Sequence, residues 1–244
     1  MKTLIIIPSR LAATRLPGKP LLKINGLSII SHVFKKAEKA KIGDVLVATE
    51  NQEIVDDVKK NGGEAVLTSN RHNTGTDRIY EALQKTKIPK IDLVMNLQGD
   101  EPLIDVDDIR NLNQFMINTN SKIGTLASKI LDKKFYDNQS VVKVKTKEEL
   151  DHKNFPEAIY FKRKTQKKDL NIYHHMGIYC YEMETLKDFV SYKQSPNEAK
   201  YKLEQLRALE NKIKINVALA KSHSIGIDTK EDFVAIKKIM EYKS

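Results

Sequence analysis

The sequence predicts an α/β fold in which a mostly parallel sheet is flanked by helices, with a smaller lobe added in the second half. Three observations support this. The first 100 residues alternate short apolar, β-rich runs with stretches of helical period. Polar loops rich in Gly, Asn or Asp separate these elements. After residue 120 the strand-like runs lie closer together, which favours antiparallel additions.

The first half is predicted to contain four strands joined by three helices. The apolar run at 3–7 is the first strand, and Pro8 is expected to end it. The other strands are predicted at 44–49, 65–67 and 91–97, and the helices at 28–40, around 54–58 and at 76–86. This alternation implies parallel strands with right-handed crossovers. Ligands of such doubly wound sheets bind beyond the carboxyl ends of the strands.

The second half is predicted to form a lobe at about 124–212 within one domain that spans 1–244. Helices are expected at 105–118 and 197–211, and strands at 123–127, 141–145, 158–161, 177–181 and 213–219. In a final helix, Thr229 and Asp232 are expected to form a capping box. The core face of that helix is predicted to be Phe233, Ile236, Ile239 and Met240.

Composition limits the classes of protein that the chain can represent. Its 244 residues carry a formal net charge of +10, and the single cysteine, Cys180, cannot form an internal disulfide. No run is long enough to span a membrane, so a cytoplasmic protein without membrane contact is expected. The lysines are spread over every predicted helix, without interleaved aromatics, which argues against a nucleic-acid partner. Non-catalytic nucleic-acid binding stays open as an alternative, because of the charge.

A basic loop follows the first predicted strand. It carries Arg10, Arg15 and Lys19, and Gly18 is expected to let the backbone approach an anion closely. Arginine is scarce in this lysine-rich chain, and its planar fork suits phosphate and carboxylate groups. The Gly18-Lys19 pair is followed by Pro20 instead of Ser or Thr, so the loop is not a Walker A motif. It is predicted to hold phosphates with side chains.

Two acidic residues are candidates for a magnesium site. Asp100 follows the predicted strand 91–97, next to Gly99, and Asp228 precedes the last helix. Magnesium takes one or two carboxylates together with phosphate oxygens and water. Together with the basic loop, Asp100 therefore indicates a site for a nucleoside triphosphate, and Asp228 could join Asp100 on the metal. Each residue also has a simpler interpretation, Asp100 as a turn cap and Asp228 as an acid near a helix N-terminus.

Other polar segments are less specific. The loop 72–78 leads into a helix, and its backbone N–H groups and Arg78 are suited to a base or a phosphate. His174 and His175 point to opposite faces of a strand, so at most one faces a given site. A zinc site is not expected, since the chain has one cysteine and no clustered ligands. On the predicted helix 197–211, Glu204, Gln205 and Arg207 are equally consistent with a site and with the surface.

Several motifs, taken together, resemble a known family. They are Pro8-x-Arg10, Thr14-Arg15-Leu16-Pro17-Gly18-Lys19-Pro20, Gly75-Thr76-Asp77-Arg78, Asn96-Leu97-Gln98-Gly99-Asp100-Glu101-Pro102, His175-x-Gly177-Ile178-Tyr179, Leu203-Glu204-Gln205-Leu206-Arg207 and Asp228-Thr229-x-Glu231-Asp232. The chain resembles the 3-deoxy-manno-octulosonate (Kdo) cytidylyltransferases. The first basic block occurs in several sugar-acid cytidylyltransferases, whereas the later blocks are more specific.

The resemblance implies a Rossmann-like nucleotidyltransferase that uses CTP, a keto sugar acid and Mg²⁺ and forms a homodimer. Its lobe would serve dimerisation and sugar binding. The implied CTP-binding residues are Pro8, Arg10, Lys19, Thr74, Gly75, Arg78, Gln98 and Asp100. Arg10 and Lys19 would hold the phosphates, Asp100 and Asp228 would hold the metal, and these four residues form the implied catalytic set. The implied sugar-acid residues are Arg15, Gln98, His175, Tyr179, Glu204 and Gln205.

One segment departs from the family pattern. The family usually has an aromatic residue followed by Ser-Arg and a proline-containing loop, in a segment that borders the sugar pocket. Here the sequence is Phe161-Lys162-Arg163-Lys164, followed by a lysine-rich loop without proline. The resemblance implies Kdo as the acceptor, and this departure keeps a sialic-acid-like or amino-substituted Kdo sugar open as the alternative.

Overall fold

A computed structural model of the chain describes residues 1–12, 15–72, 74–132, 134–165, 169–223 and 226–242. The strands are β1 Thr3–Ser9, β2 Lys23–Ile24, β3 Leu27–Ser28, β4 Gly43–Thr49, β5 Ala65–Leu67, β6 Leu93–Asn96, β7 Ile123–Ser128, β8 Lys143–Thr146, β9 Ala158–Lys162, β10 Ile172–Glu182 and β11 Ile215–Leu219. The helices are α1 Ile29–Ala40, α2 Gln52–Lys60, α3 Gly75–Lys85, α4 Val106–Thr119, α5 Lys134–Asp137, α6 Met183–Ser191, α7 Pro196–Tyr201, α8 Leu206–Glu210 and α9 Lys230–Tyr242, and a 3₁₀ helix spans Lys19–Leu21.

The chain divides into two compact units. The first comprises Met1–Ile109 and Ser224–Ser244, the second Arg110–His223, and the boundary falls within α4. The lobe predicted at 124–212 lies within the numbering of the second unit. The described helices include none with the length and apolar character that crossing a bilayer requires.

The first unit contains the predicted parallel sheet. Its strand order is β5-β4-β1-β6, and each neighbouring pair is parallel. The order reverses between β1 and β6, as in other doubly wound sheets. Ile5, Ile6 and Ile7 in β1 are fully buried, because a central parallel strand is covered on both faces. Each buried side chain of this size stabilises the fold by about 1.5–3 kcal/mol.

The prediction that Pro8 ends the first strand is wrong, because β1 continues to Ser9. Ile6 O accepts a hydrogen bond from Leu97 N, so Ile6 faces β6, and so does Pro8 two residues later. The pairing with β6 stops at Ile6 opposite Asn96. Pro8 has no N–H to donate, but at its position there is no β6 partner to receive one. Proline is tolerated in strands at such places.

The second unit has a mixed sheet in the order β11-β7-β10-β8-β9. β11 and β7 are parallel, and the other pairs are antiparallel. This confirms the antiparallel additions that the close spacing of strands predicted. β10 begins at Ile172, five residues before the predicted start, and α6 was not among the sequence predictions.

The prediction of a single helix at 197–211 is wrong. The chain forms α7 and α8 instead, and Lys202 between them has φ +53°, in the left-handed region that ends a helix. Glu204 therefore lies between two helices. In α9 the predicted capping box forms, with Thr229 N donating to Asp232 Oδ2 and Asp232 N to Thr229 Oγ1. Ile236 is buried as predicted, but Ile239 is 43% exposed, because only one side of α9 packs on the core.

Candidate active site

A cleft of about 360 Å³ in the first unit lies at the carboxyl ends of β1 and β6. It brings together the predicted residues of the first unit. Those from β1 and its loop are Pro8, Arg10, Arg15 and Lys19, and those from the start of α3 are Thr74, Gly75 and Arg78. Gln98 and Asp100 follow β6, and Asp228 precedes α9. The cleft thus occupies the place where doubly wound sheets bind their ligands.

The basic loop is shaped by a turn at Gly18. This residue has φ +69°, and its N–H donates to Leu11 O at 3.2 Å, which closes the loop. A side chain at this φ would be strained, although a Cβ would meet nothing within 4 Å. The positive φ therefore accounts for glycine at this position. The turn leads directly into the 3₁₀ helix that begins with Lys19.

Lys19 lies between the two acidic residues of the predicted metal site. Its Nζ is 2.6 Å from Asp100 Oδ2, 3.5 Å from Asp228 Oδ1 and 2.5 Å from Ile227 O. Only 12% of the Lys19 side chain is exposed, so this ammonium group is largely withdrawn from water. Both carboxylates therefore face one point, which a cation occupies.

Arg15 adds a second cation to this cluster. Its guanidinium lies 3.0 Å from Asp228 Oδ2, in an exposed contact that salt would screen. The set of two carboxylates and a carbonyl consists of hard oxygen ligands, which fit Mg²⁺. No cluster of three or more His, Cys, Asp or Glu side chains suited to a metal occurs in the described ranges. Two carboxylates suffice when substrate phosphates supply further oxygens.

The start of α3 forms another wall of the cleft. Thr74 caps the helix by accepting a hydrogen bond from Asp77 N at its hydroxyl. Gly75 lies against Pro8, and a Cβ on Gly75 would be 3.6 Å from Pro8 Cγ. Gly99 makes the closer approach, since a Cβ there would be 3.0 Å from Pro8 O. The backbone of Gly99 thus lies directly against the end of β1.

Arg78 lines the cleft but is mostly buried, with 4% of the residue exposed. Its guanidinium pairs with Glu50, and it donates to Thr68 Oγ1 at 2.6 Å and Ser69 O at 3.2 Å. These contacts commit much of its hydrogen-bonding capacity to the protein. Arg78 therefore supports the wall of the cleft, and Glu50 is a partner that sequence reasoning missed.

Five further lining residues were not predicted as site residues. They are Ser9, Ala12, Pro20, His72 and Gly99. Ser9 is buried, and its hydroxyl has no hydrogen-bond partner among the residues that the structure describes. His72 contacts the carboxylate of Glu81 through Nε2. Their neighbours Pro8, Thr74 and Asp100 were predicted, so adjacency to these was the available signal.

His175 and Tyr179 lie together in the second unit, with ring centroids 5.4 Å apart. A register shift in β10 between Met176 and Tyr179 accompanies this placement. Burial is the main cause that lowers the pKa of His175 to about 3, and the neighbouring His174 adds to this effect. The ring of His175 is therefore neutral. Thr125 Oγ1 donates to Ile178 O at 2.7 Å and is left to accept from His175 Nε2 at 3.1 Å.

Tyr179 is also buried. Burial is the main cause that raises the pKa of its phenol, and the nearby Tyr181 and Glu204 raise this pKa further. Within the described part of the chain, its hydroxyl has no hydrogen-bond partner. A neutral phenol with free hydrogen-bonding capacity is costly to bury and is suited to a polar ligand. Gln205 is buried just before α8, and Glu204 is half-buried beside it.

Arg207, for which site and surface were equally open, belongs to the core of the second unit. It forms two hydrogen bonds with Glu198, at 2.5 and 2.9 Å, and stacks 4.7 Å from the centre of the Phe189 ring. Both partners of this ion pair are almost fully buried. Arg207 therefore joins α7 to α8 and is not a surface residue.

Arg163, in the segment that departs from the family pattern, holds backbone carbonyls. It donates to Gln139 O at 3.1 Å and to Tyr201 O and Lys202 O at 3.3 Å each. Lys143, which sequence reasoning missed, is fully buried and donates to the carbonyls of Asn138, Val141 and Arg163. Burial lowers the pKa of Lys143. Together these two cations connect the segment to its neighbouring turns.

Known proteins similar to this chain agree in their descriptions. A family model described as cytidylyltransferase matches residues 4–215. The 3-deoxy-manno-octulosonate cytidylyltransferase of Rhodopseudomonas palustris (strain BisB18) is 43% identical and aligns over 99% of this chain and 98% of its own length. The protein of that name from Thermodesulfovibrio yellowstonii is 41% identical over 98% of each chain.

The solved structures point to the same family. CMP:2-keto-3-deoxy-manno-octonic acid synthetase complexed with CTP covers 100% of both chains, with a TM-score of 0.90 and 31% identity. The two curated relatives named above are more than 40% identical to this chain over nearly its full length, so the similarity covers both units. The chain therefore belongs to the 3-deoxy-manno-octulosonate cytidylyltransferase family, whose members are also called CMP-Kdo synthetases.

Proposed function

We propose that this chain transfers CMP from CTP to the anomeric hydroxyl of Kdo and releases pyrophosphate, as a step that supplies lipopolysaccharide biosynthesis. The observation that carries the proposal is the cleft at the carboxyl ends of β1 and β6. There the cations of the basic loop meet Asp100 and Asp228. Membership of the cytidylyltransferase family supports CTP as the donor.

The reaction forms one bond and breaks one. The anomeric oxygen of the sugar acid bonds to the α-phosphorus of CTP, and the bond from that phosphorus to the bridging oxygen breaks. Asp228, with the metal, is proposed to help remove the hydroxyl proton, and the electrons of the broken bond remain on pyrophosphate. Lys19 and Arg10 are the residues proposed to stabilise that leaving group. Catalysis would come from alignment and charge neutralisation, without a covalent enzyme intermediate.

Asp100 and Asp228 are the residues proposed to hold Mg²⁺. A metal held there would polarise the α-phosphate and lower the pKa of the attacking hydroxyl. The two carboxylates fit this role because both face the ammonium group of Lys19, which stands where a divalent cation would be held. A divalent metal is usual for cytidylyltransferases of this family.

The remaining residues are assigned to the two substrates. Pro8, Thr74, Gly75, Arg78 and Gln98 are proposed to border the nucleotide. Arg15, Gln98, His175, Tyr179, Glu204 and Gln205 are proposed for the sugar acid. The buried Tyr179 hydroxyl supports this assignment, because a sugar hydroxyl would supply the partner that the described residues do not.

The identity of the sugar is the finer part of the proposal. Arg163 makes three contacts to backbone carbonyls, so the altered segment keeps an ordered arginine next to its lysines. Kdo is favoured by the relatives, and an amino-substituted Kdo or a sialic-acid-like sugar is the second candidate. We also propose a cytoplasmic homodimer that acts without nucleic acid or a membrane.

The test is release of pyrophosphate from CTP with Mg²⁺, measured with Kdo, 8-amino-Kdo and N-acetylneuraminic acid. We expect turnover with Kdo that EDTA abolishes and that added Mg²⁺ restores. If turnover occurred only with another of these acids, that acid would replace Kdo as the proposed acceptor. Absence of turnover with all three, combined with salt-sensitive binding of DNA, would favour the non-catalytic alternative.

A further inference from the structure

Glu81, on α3, contacts His72, a residue that lines the cleft but has no role in the proposed reaction. Its carboxylate contacts His72 Nε2, accepts from Ser69 N at 2.9 and 3.1 Å, and pairs with Lys85 Nζ at 2.6 Å. Burial opposes ionisation, but hydrogen bonds from Lys85, His72 and Ser69 outweigh it and lower the pKa of Glu81 to about 2. The group is therefore an anion at neutral pH.

The loop that carries His72 is held from one helix at two points. Glu81 accepts from the N–H of Ser69, and Arg78, three residues earlier on α3, donates to the C=O of Ser69. Residues three apart on a helix lie on the same side. The peptide groups on both sides of Ser69 are thus held by α3, three residues before His72.

The contacts of Glu81 determine which ring nitrogen of His72 carries the proton. A carboxylate accepts hydrogen bonds only, so Nε2 is the nitrogen that donates. Lys85 already neutralises the charge of Glu81, so the carboxylate does not require a second cation. A neutral ring that is protonated at Nε2 has an acceptor at Nδ1.

An acceptor in this cleft suits the base of the nucleotide more than its phosphates. Phosphates accept hydrogen bonds, and the cations Arg10 and Lys19 already provide for them. Cytosine presents a donor, its 4-amino group, whereas uracil has an acceptor there. His72 lines the cleft together with Pro8 and Gly75, which pack on each other and leave a small, apolar surface for a flat ring.

We propose that His72 reads the base of the bound nucleotide by accepting a hydrogen bond at Nδ1 from the 4-amino group of cytosine. Glu81 is the positioning residue that orients the ring and fixes its tautomer. This inference rests on the proposed use of CTP. It adds a residue that selects CTP over UTP.

The experiment measures affinity by calorimetry for CTP, UTP and a CTP analogue with hydrogen in place of the 4-amino group. The unmodified protein should bind the analogue about 5- to 10-fold more weakly than CTP, the value of one hydrogen bond to an otherwise unpaired group. In His72→Phe this preference should disappear, because the ring remains but the acceptor is lost. His72→Gln, which supplies a carbonyl oxygen, should restore part of it.

Two further variants separate positioning from general damage. Glu81→Ala should lose the preference for CTP over the analogue, whereas Glu81→Gln should keep most of it, since the amide oxygen still accepts from Nε2. His32→Phe is the matched control, because His32 Nε2 contacts Ile24 O at 2.8 Å and the residue does not line the cleft. This control should leave all three affinities unchanged.

The outcomes distinguish the inference from the proposed function. A protein that does not bind CTP at all would contradict both. A protein that binds CTP and the analogue equally would overturn the inference alone. Equal weakening of CTP and analogue by His72→Phe would also overturn it and would place His72 at the phosphates or in the scaffold.

Discussion

Lys19 Nζ lies 2.6 Å from Asp100 Oδ2 and also contacts Asp228, so one ammonium group joins the two carboxylates proposed for the metal. The cluster is thereby partly neutralised before any ligand binds. A bound triphosphate, as proposed above, would offer Lys19 another anionic partner and would leave the carboxylates available to a metal. Metal and nucleotide are therefore expected to bind together more strongly than either alone.

The first prediction concerns binding of a metal to the nucleotide-free protein. Lys19→Met removes the internal cation, so affinity for Mn²⁺ should rise about 10-fold, as expected for loss of one competing charge. Affinity for CTP should fall in the same variant. Titration calorimetry with Mn²⁺ alone measures the first effect. Lys36→Met is the control, since Lys36 Nζ contacts Ile104 O and does not line the cleft.

The second prediction concerns the rate of the reaction. Asp100→Ala and Lys19→Ala should each lower the rate of pyrophosphate release on the order of 100-fold or more, comparable to loss of one group that stabilises the transition state. Asp56→Asn, an exposed acid on α2, should leave the rate unchanged. Turnover within a few-fold of the unmodified protein would remove the role assigned to that residue.

The third prediction concerns the stability of the second unit. Arg207→Met leaves Glu198 buried without its cation, so the free energy of unfolding should fall by about 3–5 kcal/mol. Urea denaturation followed by circular dichroism measures this. The control is Lys187→Met, which breaks an exposed pair with Glu184 and should change stability by less than about 1 kcal/mol. Equal effects of the two changes would contradict the structural role of Arg207.

The fourth prediction concerns pH. Burial holds the pKa of His175 at about 3 in the folded state, below the ordinary value of 6.5 for histidine, so the unfolded chain binds the proton first. Stability from this group is complete above pH 6.5 and is lost as the pH falls from 6.5 towards 3, on the order of 1 kcal/mol for each pH unit.

Unfolding in urea from pH 7 to pH 4 tests this dependence. His175→Gln should show a shallower loss of stability, whereas His152→Gln, at an exposed site, should follow the unmodified protein. His174, whose pKa burial lowers to about 4, contributes in the same direction, so the slope should decrease without vanishing. An unchanged slope in His175→Gln would show that the buried neutral ring is not its source.

Several features of this protein could be predicted from sequence because they depend on local patterns. The four parallel strands of the first unit and the three helices between them follow from apolar periodicity, and the capping box at Thr229 follows from residue spacing. Parallel pairing then follows from the order of elements. That pairing places Arg10, Lys19 and Asp100 at neighbouring strand ends. The resemblance to a family supplied the sugar-acid residues, which no local pattern indicates.

Only the tertiary structure decided which polar groups pair with each other. Some of these pairs join residues far apart in the chain, as in the contact of Lys19 with Asp100 and the burial of Arg78 against Glu50. In the contact of Glu81 with His72 the residues are close in sequence, but spacing does not predict how the side chains are oriented. The break between α7 and α8 likewise depends on the left-handed backbone conformation of Lys202. Lysine has no local preference that would predict this conformation. Hydrogen bonds and charge pairs act over a few ångströms, so the partners of a side chain are determined only when packing has brought them together.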